Sequence, residues 1–312
     1  MKRFAISSNE SHQTLEKFVR KVLKEAPTSF IYKLFRKKDV KVNGHWEDKK
    51  YLLSEGEEVS IYITDEQFDE FKKEHEIKNN VKISSWIIYE DDNLLIINKP
   101  RGVLVQKKEK EDIALDDMVI AYLNNQGSLG FTPAPIHRLD RNTAGIVLFG
   151  KNITTIQYFS SVINDKEKIV KKYFALVKGE IDQEGDIIAP LSKRKDTVFI
   201  DYQNGKPAHT KYSLIERLTN YSLIEVQLLT GRTHQIRVHL SSISHPILGD
   251  SKYGDFDLNK MLENNFHFKN QFLIARTVSF HNLDEPFSYL NEKEFIAKMP
   301  DEFLNLLHDL RK

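Results

Sequence analysis

Between residues 86 and 300 the chain carries a series of short aliphatic runs, and helical signals fall between only some of them. Trp86-Ile87-Ile88-Tyr89 is followed by a polar turn at Glu90-Asp91-Asp92-Asn93. The run Leu94-Leu95-Ile96-Ile97 then ends at Asn98-Lys99-Pro100. Ile146 to Phe149, Tyr173 to Val177, Val198 to Ile200 and Leu223 to Leu229 repeat the pattern. Runs of this length bounded by turn residues read as buried strands. A helix after every strand would indicate a doubly wound parallel sheet. This spacing indicates an α+β fold with a mixed, largely antiparallel sheet.

The first part of the chain reads differently. Leu15, Phe18, Val19, Val22 and Leu23 lie on one helical face, with Thr14 placed as its N-cap, and Pro27 ends that helix. A second helix, capped by Ser29, turns Ile31, Leu34 and Phe35 inward and leaves Lys33, Arg36, Lys37 and Lys38 outside. Val40 and Val42 alternate into the hairpin signal Asn43-Gly44, and Val59 to Ile63 supplies a later strand. Residues 64–85 are charged, free of glycine and poor in aliphatics, as expected of a linker with some helix. The expected organisation is a small unit over 1–63, a linker over 64–85 and a large domain over 86–312.

The net charge of +1 is modest for a chain that handles nucleic acid, but it is unevenly spread. Residues 15–50 hold eleven Lys or Arg against five acids and stand at +6, whereas residues 65–76 stand at −4. Absence of cysteine excludes disulfides, thiolate nucleophiles and Cys-ligated metal sites. No apolar stretch approaches the ~20 residues of a membrane span. The polar N-terminus lacks the apolar core of a secretory signal, so a cytoplasmic location is expected.

Two segments can carry chemistry. In Pro135-Ile136-His137-Arg138-Leu139-Asp140-Arg141-Asn142-Thr143-Ala144-Gly145, an acid sits between Arg138 and Arg141 at the entry to a strand. Neighbouring cations favour a charged carboxylate, which can act as a nucleophile, although a turn-capping Asp paired with an Arg would look the same. In Leu229-Thr230-Gly231-Arg232-Thr233-His234-Gln235-Ile236-Arg237-Val238-His239, a strand ends at a glycine turn and a helix begins. His234 and His239 are five apart and diverge by ~140° on a helix, so with His245 they make a poor metal set. No metal is expected.

Together these segments resemble the signature motifs of RluA-type pseudouridine synthases, which act on RNA. His137 to Gly145 matches that family's His-Arg-Leu-Asp pattern, with Ala144 where many members have Ser, and Gly231 to His239 matches a second motif continued by Ser244 to Asp250. Asn98-Lys99-Pro100 with Gly102, and Lys172 to Gly179, agree as well. The resemblance implies that Asp140 is the catalytic carboxylate, that Tyr173 stacks on the base and helps remove the C5 proton, and that Arg232 salt-bridges Asp140. It implies no cofactor, because moving the uracil link from N1 to C5 involves no net redox change or hydrolysis. The N-terminal segment, roughly 12–63, is similar to the small α-L RNA-binding domain. Structured RNA is therefore the expected partner, with large-subunit ribosomal RNA favoured over transfer RNA. The expected RNA contacts are Arg36, Lys37, Lys38, Lys41, His137, Arg138 and Arg141, with Arg101, Lys107, Lys108, Lys193, Arg194 and Lys195 as further phosphate candidates. Rival readings are a non-catalytic ribosome-assembly factor, against which Asp140, Tyr173 and Arg232 argue, and a glycoside hydrolase, which wants two acids astride the bond.

Overall fold

A computed structural model of the chain describes residues 1–72, 83–109, 112–123 and 131–312. Its first unit comprises β1 (Lys2–Ala5), α1 (Leu15–Val22), α2 (Thr28–Arg36), β2 (Val40–Val42), β3 (His45–Trp46), β4 (Glu58–Ile61) and α3 (Asp65–Phe71). The strands form an antiparallel sheet in the order β1-β4-β2-β3. One face of that sheet, with Phe4, Val40, Val42, Val59 and Ile61, packs on Leu15, Phe18, Val19 and Val22 of α1 and on Ile31, Leu34 and Phe35 of α2. Thr14 caps α1 through the backbone N–H of Lys17.

Helix α2 starts one residue before the expected Ser29 cap. Pro27 takes the cap position without a side-chain bond, and its carbonyl accepts from the N–H groups of Phe30 and Ile31, so Ser29 lies inside the first turn. Helix α3 is fixed by a capping box between Thr64 and Gln67. Its Phe68 enters the core of the first unit and its Phe71 ring lies 4.7 Å from Phe30, which draws the chain past residue 63 into that core. Of the expected linker, residues 73–82 lie outside the described residues.

The second unit runs through β5 (Ile87–Glu90), β6 (Leu94–Lys99), α4 (Leu115–Leu123), β7 (Ala134–Pro135), β8 (Ala144–Gly150), α5 (Ile153–Val162), β9 (Ile169–Lys178) and β10 (Glu184–Ile188). It continues through β11 (Leu191–Arg194), β12 (Thr197–Ile200), β13 (His209–Leu218), β14 (Tyr221–Leu228), α6 (Gln235–Ser242), α7 (Phe256–Phe266), β15 (Leu273–Phe280), β16 (Glu294–Ile296) and α8 (Asp301–Leu310). Ten strands share one sheet, β10-β13-β14-β9-β15-β8-β6-β5, with β16 paired to β15 and β7 to β8. Within this sheet, among the described residues, only β8 and β15 pair in parallel, and every other strand pairing is antiparallel. Strands β11 and β12 form a separate hairpin.

Both faces of the central strands are covered, which is why their sequences are unbroken aliphatic runs. Leu94, Ile96, Ile146 and Leu148 face a core shared with Phe159 of α5, Leu262 of α7 and Phe303 of α8. Leu95, Ile97, Val147 and Phe149 face the opposite core, with Leu115 and Val119 of α4 and Ile236 and Leu240 of α6. The register of three adjacent strands then locates the site. Gly145 on β8 pairs with Ala275 on β15, which pairs with Tyr173 on β9. Gly145 has φ +104°, and a Cβ there would lie 2.2 Å from the Ala275 carbonyl oxygen, so the close approach of β8 to β15 needs glycine. Among the described residues no helix is long and apolar enough to cross a membrane.

Candidate active site

Asp140 lies in the loop between β7 and β8, where the backbone N–H of Thr143 bonds its carbonyl at 3.1 Å. Leu139, one residue earlier, is buried in the core that includes α6, while Gln271 Nε2 donates to Thr143 Oγ1 at 2.7 Å. The loop is therefore held from both ends. A third tether comes from Lys99 at the end of β6, whose Nζ is fully buried and donates to the carbonyls of Pro100, Val103 and Arg141 at 3.0, 2.9 and 3.0 Å. Burial pushes the Lys99 ammonium down to about 7, against the opposing pull of Asp140. Arg141 and Gly102 complete the connection with reciprocal bonds of 2.9 Å.

The cation paired with Asp140 comes from none of its sequence neighbours. Arg237 Nη1 donates to Asp140 Oδ2 at 2.9 Å, while Arg237 Nε and Nη2 clasp Asp250 Oδ2 and Oδ1 at 2.7 and 2.8 Å. Residues Gln235 to Leu240 of α6 are all buried, so a guanidinium placed there needs carboxylate partners. Burial alone would push the Arg237 guanidinium down, but the hydrogen bonds and charge of Asp250, with the charge of Asp140, carry it upward. Burial likewise works to raise the Asp250 carboxyl, yet its bonds to Arg237 hold it below the ordinary carboxylate range.

This corrects the expected pairing of Arg232 with Asp140. Arg232 sits in the exposed glycine turn before α6, and its Nε donates to the Pro207 carbonyl at 3.1 Å. Gln235 locks that turn, accepting from the Arg232 N–H and from Thr230 Oγ1 while donating to His209 O and Thr210 Oγ1. Among the described residues Arg232 makes no bond to Asp140. The two arginines stand five apart in one motif, and the helix start at Gln235 decides which of them turns inward.

Asp140, Tyr173, Arg232 and Arg237 line one cavity of about 740 Å³, with His137, Arg138, Arg141 and Lys171 also on its wall. Burial, reinforced by the charge of Asp140, pushes the Tyr173 phenol well above its ordinary range. His137 is pushed down to about 3, by burial and then by Lys171, and its Nε2 accepts from the Leu148 N–H at 3.4 Å. Burial also carries Lys171 down to about 7, with Lys166 adding to the shift. His234 takes a left-handed backbone at φ 53° as the cap of α6, and its Nδ1 lies 2.9 Å from the Tyr253 hydroxyl. The other ring nitrogen is 3.8 Å from Asp140 Oδ1. Burial lowers the pKa of this ring while Asp140 opposes the shift. His239 is structural: Nε2 donates to the Ala189 carbonyl and Nδ1 meets Thr210 Oγ1, both at 2.9 Å.

The remaining expected contacts divide. Arg138 is exposed at the cavity, and Lys108 and Lys193 also line it. Lys107 pairs with Asp117 at 3.0 Å. Arg101 pairs with Glu302 and stacks over Phe268 and Phe303, which ties α8 to the Lys99 loop. Arg36, Lys37 and Lys38 are exposed on the first unit, Lys41 is half-buried there, and none of them lines the cavity. Arg237, Asp250, His234 and Lys99 are site residues whose roles sequence reasoning missed, although all four lie in or beside the motifs. The detectable signal was Arg237 within Ile236-Arg237-Val238-His239-Leu240, a charge in a helix turn too apolar to be exposed.

A family model for RNA pseudouridylate synthase matches residues 93–242. An uncharacterised RNA pseudouridine synthase of Mycoplasma capricolum is 32% identical over 320 residues, covering 96% of this chain and 98% of the relative. A ribosomal large subunit pseudouridine synthase C of Vibrio vulnificus is 34% identical over 254 residues, covering 80% and 79%, and its counterpart from Salmonella typhi is 32% identical, covering 90% and 88%. The solved structure of human RNA pseudouridylate synthase domain containing 4 shares the fold, with a TM-score of 0.60 over 73% of this chain and 94% of that one at 23% identity. The mixed sheet, the ordered motifs and near full-length similarity place this chain in the RNA pseudouridylate synthase family, as an RNA-modifying isomerase.

Proposed function

We propose that the enzyme converts uridines of large-subunit ribosomal RNA to pseudouridine in the cytoplasm, with Asp140 as the catalytic carboxylate. The observation that carries this reading is the suspension of Asp140 in a cavity with ample room for a nucleotide by a buried Arg237–Asp250 pair. With Oδ2 bound to Arg237, Oδ1 is the oxygen left to meet C1′ of a flipped nucleotide. It either attacks C1′ as uracil leaves through N1, or stabilises positive charge there while a glycal forms. In both routes the freed uracil turns and C5 bonds to C1′: in the first C5 displaces the Asp140 oxygen, in the second Asp140 takes the C2′ proton as the glycal forms and returns it as C5 adds, and in each the C5 proton is then lost. Tyr173 offers a ring for stacking and a hydroxyl that stays protonated; its raised pKa works against service as the base for that proton. Arg237 positions Asp140, and Arg232 is placed to contact phosphate at the cavity edge.

Reaching C1′ in folded RNA requires flipping the nucleotide, at a cost of a few kcal/mol. Exposed Arg138 is placed to fill the vacated stack. Arg138→Ala should slow turnover on structured RNA more than on short single strands, and equal rates on both would remove that role. The ribosomal substrate is supported by relatives whose names specify the ribosomal large subunit and by the basic surface of the first unit. The deciding experiment is tritium release from C5-labelled uridine in ribosomal and transfer RNA pools. Wild type should release tritium from ribosomal RNA and Asp140→Asn should release none. Release from transfer RNA alone would reassign the substrate, and undiminished release by Asp140→Asn would remove Asp140 from the chemistry.

A further inference from the structure

The sheet of the first unit buries one face against α1 and α2 and, among the described residues, has no covering layer on the other. Directly paired residues of antiparallel strands project to the same side. Lys41 pairs with Trp46 on β3 and with Ser60 on β4, and Arg3 on β1 also pairs with Ser60. Tyr62, two residues beyond Ser60, joins them. Trp46 and Tyr62 are 46% and 44% exposed, and together they put two aromatic rings on one open sheet face. Each lies under a cation: Lys38 Nζ is 5.1 Å from the Trp46 ring centre and Lys41 Nζ is 5.2 Å from that of Tyr62. Two acids share this face, Glu58, 3.7 Å from Arg3, and Asp39, whose carbonyl accepts from the Tyr62 N–H opposite it; against them Arg3, Lys38 and Lys41 leave the patch net positive.

We propose that this open sheet face is a stacking platform for an unpaired segment of the RNA substrate, with bases on Trp46 and Tyr62 and phosphates on Lys38, Lys41 and Arg3. The inference rests on the RNA-modifying activity above. In each pair the lysine lies over the ring, where it holds the stacking face, and it swings off to meet a phosphate as a base takes that face, without disturbing the sheet. A duplex cannot use the rings, because its bases are already stacked on one another. Arg36 and Lys37 end α2 immediately before Lys38, so the basic helix surface runs on to this face.

The test uses the full-length protein with a fluorescent single-stranded oligoribonucleotide and the same strand annealed to its complement. Trp46→Ala should weaken single-strand binding by about fivefold or more, the loss expected for one stacked base, and change duplex binding by less than about twofold. Trp46→Phe, which keeps a ring, should restore most of the loss. In a Trp86→Phe background Trp46 is the sole indole, and its fluorescence should be quenched by the single strand but not by the duplex. Equal losses on both RNAs, no loss on either, or no quenching would overturn the platform. Tritium release measured on the same preparations separates the two readings: turnover by wild type with unaffected binding by Trp46→Ala sinks the platform alone, whereas absence of turnover sinks the activity beneath it.

Discussion

Replacing Arg237 by alanine removes three hydrogen bonds at once and strands Asp250, whose side chain is 1% exposed. Breaking a buried pair from one side costs about 3–5 kcal/mol, because Asp250 is left without a cation and keeps only the backbone N–H groups of Lys252 and Tyr253, which donate to its Oδ1. For a folded unit of this size each kcal/mol lowers the melting temperature by roughly 2–4 °C, so a drop of about 6–20 °C is expected. Activity should suffer separately. Asp140 Oδ2 loses its anchor, and a displacement of about 1 Å at the reacting atom costs on the order of a hundredfold in rate. Arg237→Lys keeps the charge but cannot bridge two carboxylates, and should fall between alanine and wild type. Arg232→Ala is the contrast: an exposed guanidinium with one backbone bond should change stability by less than about 0.5 kcal/mol. Thermal denaturation followed by circular dichroism, with tritium release measured below every transition, tests each part. If Arg237→Ala melts with wild type, or Arg232→Ala loses more turnover than Arg237→Ala, the assignment of Arg237 as the support of Asp140 is wrong.

Other expectations follow from the same geometry. His137 is pushed down to about 3 in the folded protein, against about 6.5 when unfolded, so the unfolded chain alone takes up its proton between those values. The stabilisation is present above about pH 6.5 and lost as pH falls toward 3; urea denaturation should show a loss of about 1–2 kcal/mol from pH 7 to pH 5, which His137→Gln reduces. Lys99→Met leaves the Pro100, Val103 and Arg141 carbonyls without their shared donor and should cost on the order of 2 kcal/mol. Its kcat should fall as well, and an unchanged urea midpoint would show that the tether carries no load. Gly145→Ala places a methyl against the Ala275 carbonyl and should cost at least ~2 kcal/mol by separating β8 from β15, read as a lower urea midpoint.

How much of this was visible beforehand depended on whether a residue's role is local. Leu94 to Ile97 and Ile146 to Phe149 announce buried strands because both faces are covered, and no polar residue interrupts the run. Strand β1 was missed, since Lys2 and Arg3 mask a short edge strand whose partner, β4, lies more than fifty residues away. Lys99 was visible only as part of a motif; nothing in Asn98-Lys99-Pro100 tells that its amine is buried against three carbonyls.

The arginine assignment shows where local reading stops. Arg138 and Arg141 flank Asp140 along the chain, but strand entry at Ala144 turns Arg138 outward and commits Arg141 to the Gly102 carbonyl. Arg232 and Arg237 share a motif, and the left-handed cap at His234 separates them into an exposed turn and a buried helix. Only the buried one must be neutralised, and one carboxylate cannot satisfy a five-donor guanidinium. Asp250 takes the bidentate side through Nε and Nη2, and Nη1 donates to one oxygen of Asp140. The division matters for chemistry. Asp140 is held by one oxygen and keeps a second to offer, whereas a bidentate clasp would have occupied both.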